Sequence, residues 1–119
     1  LYRYRRLDAA REAARRNGFR GAMFPWRSAS TGHEVTPAFQ HNPLSGRWMR
    51  DVTYLQRHIG AAIAYNVWHH FLATGDGDFL ADFGAEMLAE IARFWASIAR
   101  LDPASGRYDI GHVMGPNEY

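Results

Sequence analysis

The sequence predicts an all-α fold, part of an α/α toroid, with long loops and short β-hairpins. Two strongly apolar helical patterns fill the second half of the chain and are joined by the short linker Gly75–Gly77. Another helix precedes them across a long irregular loop, and a hairpin follows them. This order fits paired antiparallel helices whose loops build a site at one end.

The composition is that of one globular domain, or part of one, and it excludes several classes of protein. Hydrophobic residues make up 47% of the chain, enough to build a core. All 14 basic residues are arginine, and a net charge of +2 is too small for a nucleic-acid-binding surface. No apolar run reaches the roughly 20 residues of a membrane helix. The absence of cysteine excludes disulfides and suits the reducing cytoplasm, where we expect the protein to act.

The first predicted element is a helix over Leu1–Asn17, rich in alanine and arginine. Glu12 and Arg16 stand four positions apart and can pair on its surface. Asn17-Gly18 is a typical helix end, because glycine readily adopts the left-handed conformation beyond the last turn. Such a helix usually presents one half-exposed face to solvent.

The long loop 19–46 is the first candidate for a binding site. It lacks a sustained hydrophobic period, and loops of this length in compact domains are often functional. Trp26 stands in it beside Arg27, with Glu34 shortly after. A loop tryptophan commonly caps a core. An indole beside charged side chains also suits a sugar, whose apolar ring face packs on the indole while its hydroxyls meet the charges.

Two short segments repeat one pattern of an Asx-Pro pair, two residues, Gly, Arg and an aromatic residue. They are Asn42–Trp48 and Asp102–Tyr108. Asn or Asp before proline begins a turn and glycine closes it, so each segment predicts a turn that leads into a strand. We interpret them as recurrent turn chemistry and not as a duplicated domain.

The two long helices are predicted over Thr53–Thr74 and over 79 to about 101. Thr53 or Asp51 is the expected cap of the first, and Asp78 of the second. Each helix carries apolar residues at 3.6-residue spacing. Each is about 22 residues long, or roughly 33 Å. The tight linker between them predicts an antiparallel αα-hairpin.

The histidines do not form a recognisable metal motif, so no metal site is predicted. His69 and His70 are adjacent and would point about 100° apart on a helix. The chain also lacks a Gly-x-Ser-x-Gly elbow and a phosphate-binding glycine loop.

The last residues form the strongest candidate for chemistry. A short strand is predicted over Arg107–Met114, and the pair Gly115-Pro116 then fixes a turn. Glu118 follows that turn. Spacing alone favours a solvated loop glutamate over an acid held at a defined angle.

Six runs of residues, in order along the whole chain, carry a resemblance to a known family. They are Tyr2–Arg5, Asn17–Trp26, Leu55–Trp68, Ala73–Asp76, Glu90–Trp95 and Met114–Tyr119. Together they resemble glycoside hydrolase family 65, which holds trehalose, maltose and kojibiose phosphorylases and acid trehalases. The trehalose/kojibiose phosphorylase type is the most similar.

The resemblance implies that residues 1–119 are part of one catalytic (α/α)6 barrel domain, incomplete at both ends. The chain starts at Leu1 without an initiator methionine and stops one residue after Glu118, so we expect an internal piece of a longer protein. Glu118 matches the family's general acid. Trp26 matches a position lining the donor glucose subsite, with Arg27 and Glu34 as further substrate-binding residues. We expect no cofactor, and a homodimer as the full-length protein.

The resemblance implies one of two reactions on an α-glucoside disaccharide. In an inverting phosphorylase, inorganic phosphate is the co-substrate and attacks the sugar directly; in an inverting hydrolase, a second carboxylate activates water. The phosphorylase is preferred. Asn117 stands where the family has aspartate, and loss of that like charge should let Glu118 ionise more readily. The non-enzymatic alternative is a catalytically inactive helical module that interacts with a partner.

Overall fold

The computed structural model describes residues 1–115, which form a helix-rich chain with two small antiparallel sheets. The helices are α1 (Leu7–Arg16), α2 (Ile59–Thr74), α3 (Gly77–Phe79) and α4 (Ala85–Ile98). The strands are β1 (Phe39–Asn42), β2 (Arg47–Arg50), β3 (Arg100–Asp102) and β4 (Arg107–Asp109). Short 3₁₀ turns cover Tyr4–Arg6 and Thr53–Leu55, and a π-helical segment, Leu80–Gly84, joins α3 to α4.

Helices α2 and α4 pack against each other as the predicted antiparallel hairpin. Gly60 at the start of α2 approaches Ile91 in the middle of α4, whereas Gly84, just before α4, meets Val67 further along α2. Buried apolar side chains from both helices and from α1 form the core of this hairpin: Leu7, Ala10, Ile63, Val67, Met87 and Ile91. The predicted apolar faces of the two long helices are therefore confirmed in their central turns.

The chain after α1 passes between α1 and α4 before it reaches Trp26. The N–H of Ala22 donates to the carbonyl of Glu90 (2.9 Å), and the N–H of Met23 donates to the carbonyl of Ala10 (2.9 Å). Gly21 has φ +71°, and a Cβ there would lie 2.2 Å from the Glu90 carbonyl oxygen. Only glycine permits so close an approach. The start of the long loop is thus fixed on the core.

An ionic cluster around the buried Glu90 also joins α1 to α4. The Arg11 guanidinium lies 2.6 Å from Glu86 and 3.3 Å from Glu90, and Arg93 pairs with Glu90 on its own helix. Burial alone would raise the pKa of Glu90, but hydrogen bonds from Arg11 and Arg93 outweigh burial and lower it. Glu90 therefore stays ionised although only 8% of the residue is exposed.

The two repeated turns have the same structure, as their shared pattern predicts. In each hairpin the glycine N–H donates to the carbonyl of the initial Asx residue, Gly46 to Asn42 at 2.9 Å and Gly106 to Asp102 at 2.8 Å. The Asx side chain accepts hydrogen bonds from the two residues that follow the proline. Both glycines have a left-handed φ, +66° and +69° respectively. The turns lead into β2 and β4.

Several predicted boundaries are wrong. Helix α2 begins at Ile59, not at Thr53, because Gln56 leaves the helical conformation (φ −74°, ψ +76°) after the 3₁₀ turn. The second long helix contains the π-helical segment, and its predicted last residues belong to β3. Its cap is Asp76, whose side chain accepts from the N–H of Phe79 at 2.9 Å, and not Asp78.

The ends of the chain also differ from prediction. The first helix opens with a 3₁₀ turn before α1. The predicted strand over Arg107–Met114 is limited to Arg107–Asp109. Within residues 1–115, no helix combines the length and the hydropathy that spanning a membrane requires.

Candidate active site

Glu34 organises the loop that carries Trp26. Its Oε2 accepts a hydrogen bond from the N–H of Trp26 (2.8 Å), and its Oε1 accepts one from the N–H of Arg27 (3.2 Å). Thr36 donates to Oε1 through both its N–H (3.1 Å) and its hydroxyl (2.6 Å). The loop therefore closes around this one carboxylate, which fixes the backbone of Trp26 and Arg27.

The Trp26 side chain is half-buried and lies against His58, the residue immediately before α2. The centroids of the two rings are 5.6 Å apart, with their planes inclined at 53°. The Nδ1 atom of His58 is buried and has no hydrogen-bond partner among the described residues. Trp26 as a residue is only partly buried, so its ring caps the core without the residue being fully enclosed.

Arg27 forms an ion pair with Asp51. Its Nη1 lies 3.0 Å from Oδ2 of Asp51, whose side chain has 0% of its surface exposed. Oδ1 of Asp51 accepts from the N–H (2.9 Å) and the hydroxyl (2.6 Å) of Thr53. Burial alone would raise the pKa of Asp51, but the bonds from Thr53 and the positive charge of Arg27 outweigh it and lower the pKa.

The 3₁₀ turn that begins at Thr53 contacts the end of the described chain. The N–H of Met114 donates to the carbonyl of Leu55 at 3.0 Å. The Nε2 of Gln56 lies 3.9 Å from the Met114 sulfur, within the range of a weak hydrogen bond to sulfur. The backbone at Met114 is thus held beside the residues that support Trp26 and Arg27.

The structure therefore brings together three of the four predicted site residues. Trp26, Arg27 and Glu34 share one loop and one hydrogen-bonded network. Glu118, the predicted acid, lies outside the described residues, as does its neighbour Asn117. The segment that precedes them approaches the same network through Met114.

Two open clefts border this network. One, of about 270 Å³, lies between α1 and the loop and is lined by Glu34 and Arg57 among others. The other, of about 650 Å³, opens between the first hairpin and the Asp51–Thr53 segment, with Met114 at its edge. Among residues 1–115, no three His, Cys, Asp or Glu side chains converge as a metal site would require.

Sequence reasoning missed the role of Asp51. The pattern Asp51-x-Thr53 did indicate an acidic cap, because an Asp side chain commonly accepts bonds from the residue two positions later. The sequence predicts Thr53 or Asp51 as the cap of the first long helix, whereas Asp51 closes a separate turn before α2 and the residue preceding α2 is His58. The pairing of Asp51 with Arg27 has no local signal, since the two residues are distant in sequence.

The family model of the glycosyl hydrolase family 65 central catalytic domain matches residues 1–119, the whole chain. The chain belongs to glycosyl hydrolase family 65. This confirms the resemblance carried by the six short runs of residues.

Three relatives are similar to nearly the whole of this chain. An uncharacterized glycosyl hydrolase of Mycobacterium tuberculosis is 54% identical over 118 residues, which are 99% of this chain and 9% of that protein. A kojibiose phosphorylase of Halothermothrix orenii is 44% identical, over 99% of this chain and 15% of that protein. A 1,2-alpha-glucosylglycerol phosphorylase of Bacillus selenitireducens is 48% identical, over 99% of this chain and 16% of that protein.

A solved structure supports the same relationship at the level of the fold. A protein described as a kojibiose phosphorylase from the human microbiome superposes with a TM-score of 0.79 at 27% identity, over 98% of this chain and 15% of that one. The family 65 chain thus spans about a tenth to a sixth of the length of its relatives (9% to 16%).

Proposed function

We propose that the protein containing this chain is an inverting phosphorylase. It converts an α-glucoside disaccharide and inorganic phosphate into β-glucose 1-phosphate and glucose. The observation that carries the proposal is the agreement between the whole-chain family match and the phosphorylase names of relatives more than 40% identical. Kojibiose, trehalose and maltose are the candidate substrates, and kojibiose is the first to test.

The proposed scaffold is an (α/α)6 barrel, of which residues 1–119 form one part. Helix α2 supports this proposal because it is apolar on two faces. Ile63 and Val67 are buried against α4, while Tyr65, Trp68 and Leu72 are 61%, 46% and 60% exposed. A helix that is apolar all round is normally buried in a larger structure. We propose that further helices of the barrel cover this second face.

In the proposed reaction, Glu118 is the general acid. Its proton passes to the glycosidic oxygen while the C1–O bond breaks, and a phosphate oxygen forms the new bond to C1 from the opposite face. Phosphate is itself the nucleophile, so no carboxylate is needed to activate water. Trp26 would pack against the glucose ring, and Arg27 and Glu34 would meet its hydroxyls or hold the loop for that contact.

An inverting α-glucoside hydrolase is the second candidate. The name of the Mycobacterium tuberculosis relative, a glycosyl hydrolase, favours it. The two reactions share the acid and the sugar-binding loop and differ in the nucleophile and in the need for a carboxylate that activates it. Whether turnover requires phosphate therefore distinguishes the phosphorylase from the hydrolase.

The test uses the full-length protein with kojibiose, trehalose and maltose, each with and without phosphate. Nuclear magnetic resonance should detect β-glucose 1-phosphate from one of them, only when phosphate is present. Free glucose formed equally well without phosphate would establish the hydrolase. If none of the three sugars gave either product, both proposals would fail for these substrates.

The second part of the test is Glu118→Gln, which keeps the shape of the side chain but cannot donate the proton. A positioned general acid contributes about 10²–10⁴-fold, so turnover should fall by roughly that factor with the melting temperature unchanged. Glu86→Gln, an exposed carboxylate distant in sequence from the loop network, is the control. Turnover by Glu118→Gln near that of the unchanged protein would place the acid elsewhere.

A further inference from the structure

Asp51 is a buried charge with two separate sets of partners. Its side chain has 0% exposure, and its Oδ2 pairs with Arg27 at 3.0 Å. Its Oδ1 receives the N–H and the hydroxyl of Thr53 at 2.9 and 2.6 Å. A buried carboxylate is tolerated only where its oxygens are paired, so the geometry of both partners is tightly constrained.

The two sets of partners lead to different parts of the candidate active site. On one side, Arg27 follows Trp26, and the backbone N–H groups of both residues are held by Glu34. On the other side, Thr53 begins the 3₁₀ turn whose last residue, Leu55, accepts the N–H of Met114. Met114 stands four residues before Glu118 in the sequence. One carboxylate therefore connects the tryptophan loop with the segment that carries the acid.

We propose that Asp51 is a positioning residue, which holds the sugar-binding loop and the Glu118 segment in register through Arg27 and Thr53. This inference rests on the proposed function, since it takes Glu118 as the general acid. Thr53 transmits the constraint to the acid, and Arg27 transmits it to the loop. Loss of the Thr53 hydroxyl should therefore impair proton donation more than it impairs sugar binding.

A change of leaving group distinguishes a misplaced acid from a destabilised fold. A disaccharide leaves through an oxygen that must take the proton of Glu118 as the C1–O bond breaks. In α-glucosyl fluoride the C1–F bond breaks, phosphate bonds to C1, and fluoride departs without needing that proton. A misplaced acid slows the disaccharide much more than the fluoride. A smaller fraction of folded enzyme slows both reactions equally.

The variants are made in the full-length protein and assayed with the disaccharide it turns over best and with α-glucosyl fluoride. Thr53→Val keeps the branched shape and removes the hydroxyl. It should lower kcat for the disaccharide about tenfold, which is part of the 10²–10⁴-fold that a general acid contributes. KM for the disaccharide and turnover of the fluoride should each stay within about twofold of the unchanged protein. Thr53→Ser keeps the hydroxyl and should restore kcat. Asp51→Asn should lower disaccharide turnover and also raise KM, because it weakens the Arg27 side as well.

Glu90→Gln is the matched control. Glu90 is another buried carboxylate paired with arginines, but it joins α1 to α4 and does not touch the loop network. Its loss should lower the melting temperature and affect the two substrates equally. Equal losses on both substrates in Thr53→Val, or no loss at all, would overturn the positioning role.

Glu118→Gln is assayed beside these variants, so that the two proposals can fail separately. If Glu118→Gln loses disaccharide turnover and keeps fluoride turnover while Thr53→Val shows no such selectivity, only the role of Asp51 falls. If Glu118→Gln retains disaccharide turnover, Glu118 is not the acid, and the proposed roles of Glu118 and of Asp51 both fall, whereas the proposed phosphorolysis is tested separately by its dependence on phosphate.

Discussion

The carboxylate of Glu34 accepts four hydrogen bonds, three of them from backbone N–H groups. Such a group has a structural role that a free sugar-binding carboxylate would not have. The sequence-based prediction of Glu34 as a partner for sugar hydroxyls stays a prediction. Its direct effect in the structure is to fix the backbone of Trp26 and Arg27. A residue can therefore be required for binding without touching the ligand.

The expected effect of Glu34→Gln is a weaker substrate complex. Glutamine keeps the shape, but its NH₂ group cannot accept a hydrogen bond, so the N–H of Trp26 or the donors on Oε1 lose their partner. In the full-length protein KM for the disaccharide should rise about tenfold, the equivalent of roughly 1.4 kcal/mol, with a smaller change in kcat.

Asp8→Asn is the control for this change, because the Asp8 side chain is 97% exposed and forms a surface pair with Arg11 on α1. Surface pairs of this kind contribute only a few tenths of a kcal/mol, so KM should not change. An unaltered KM in Glu34→Gln would show that the loop holds its shape without the carboxylate.

At the scale of elements, the two long helices depend on short irregular segments at their ends. The π-helical segment Leu80–Gly84 places Gly84 where a Cβ would come within 3.0 Å of Val67 on α2. The cap Asp76 closes the turn after α2 and opens the next helix. These segments set how the helices meet, and apolar periodicity alone does not reveal them.

The two acidic residues at this junction provide a matched pair of substitutions. Asp76→Ala removes the side chain that accepts the N–H of Phe79, and such caps contribute about 0.5–2 kcal/mol to stability. Asp78→Ala removes only a first-turn charge, which contributes about 0.3–1 kcal/mol at low ionic strength and less in salt.

Urea unfolding of the full-length protein in about 0.5 M salt should therefore show the larger loss of stability for Asp76→Ala. The salt screens the interaction of Asp78 with the helix dipole but leaves the hydrogen bond of Asp76 in place. If Asp78→Ala were the more destabilising of the two, Asp76 would not be the effective cap.

At the scale of the whole molecule, the outer face of α2 is the clearest sign of missing neighbours. Tyr65, Trp68 and Leu72 share that face, and each is at least 46% exposed in residues 1–115. Isolated apolar residues on a surface are ordinary, but a row of them along one helix indicates a contact surface. The proposed barrel supplies that contact.

Leu72→Asp tests whether this face is covered. Leu72 is 60% exposed here, so in the 119-residue chain alone the change should only reduce self-association, measured by light scattering. In the full-length protein the same change buries a carboxylate without a partner. The melting temperature should then fall, consistent with a loss of about 2 kcal/mol or more. If Leu72→Asp left the melting temperature of the full-length protein unchanged, this face of α2 would be in contact with solvent.

Much of this protein follows from short-range patterns in the sequence. The helical pair follows from apolar periodicity, and the two hairpin turns follow from an Asx-Pro pair and a glycine at constant spacing. The candidate residues Trp26, Arg27 and Glu34 also stand out, because they lie close together in one loop. These features depend on residues a few positions apart, whose preferences are set by local backbone geometry.

Only the tertiary structure decided how these parts are joined. The sequence predicts Thr53 or Asp51 as a helix cap, but Asp51 buries its charge between Thr53 and Arg27. Leu55 looked like part of a helix, and its carbonyl instead holds Met114. The pairings of Arg27 with Asp51 and of Met114 with Leu55 form between residues that are distant in sequence. Their stability comes from burial and from the exclusion of water, which no local pattern encodes.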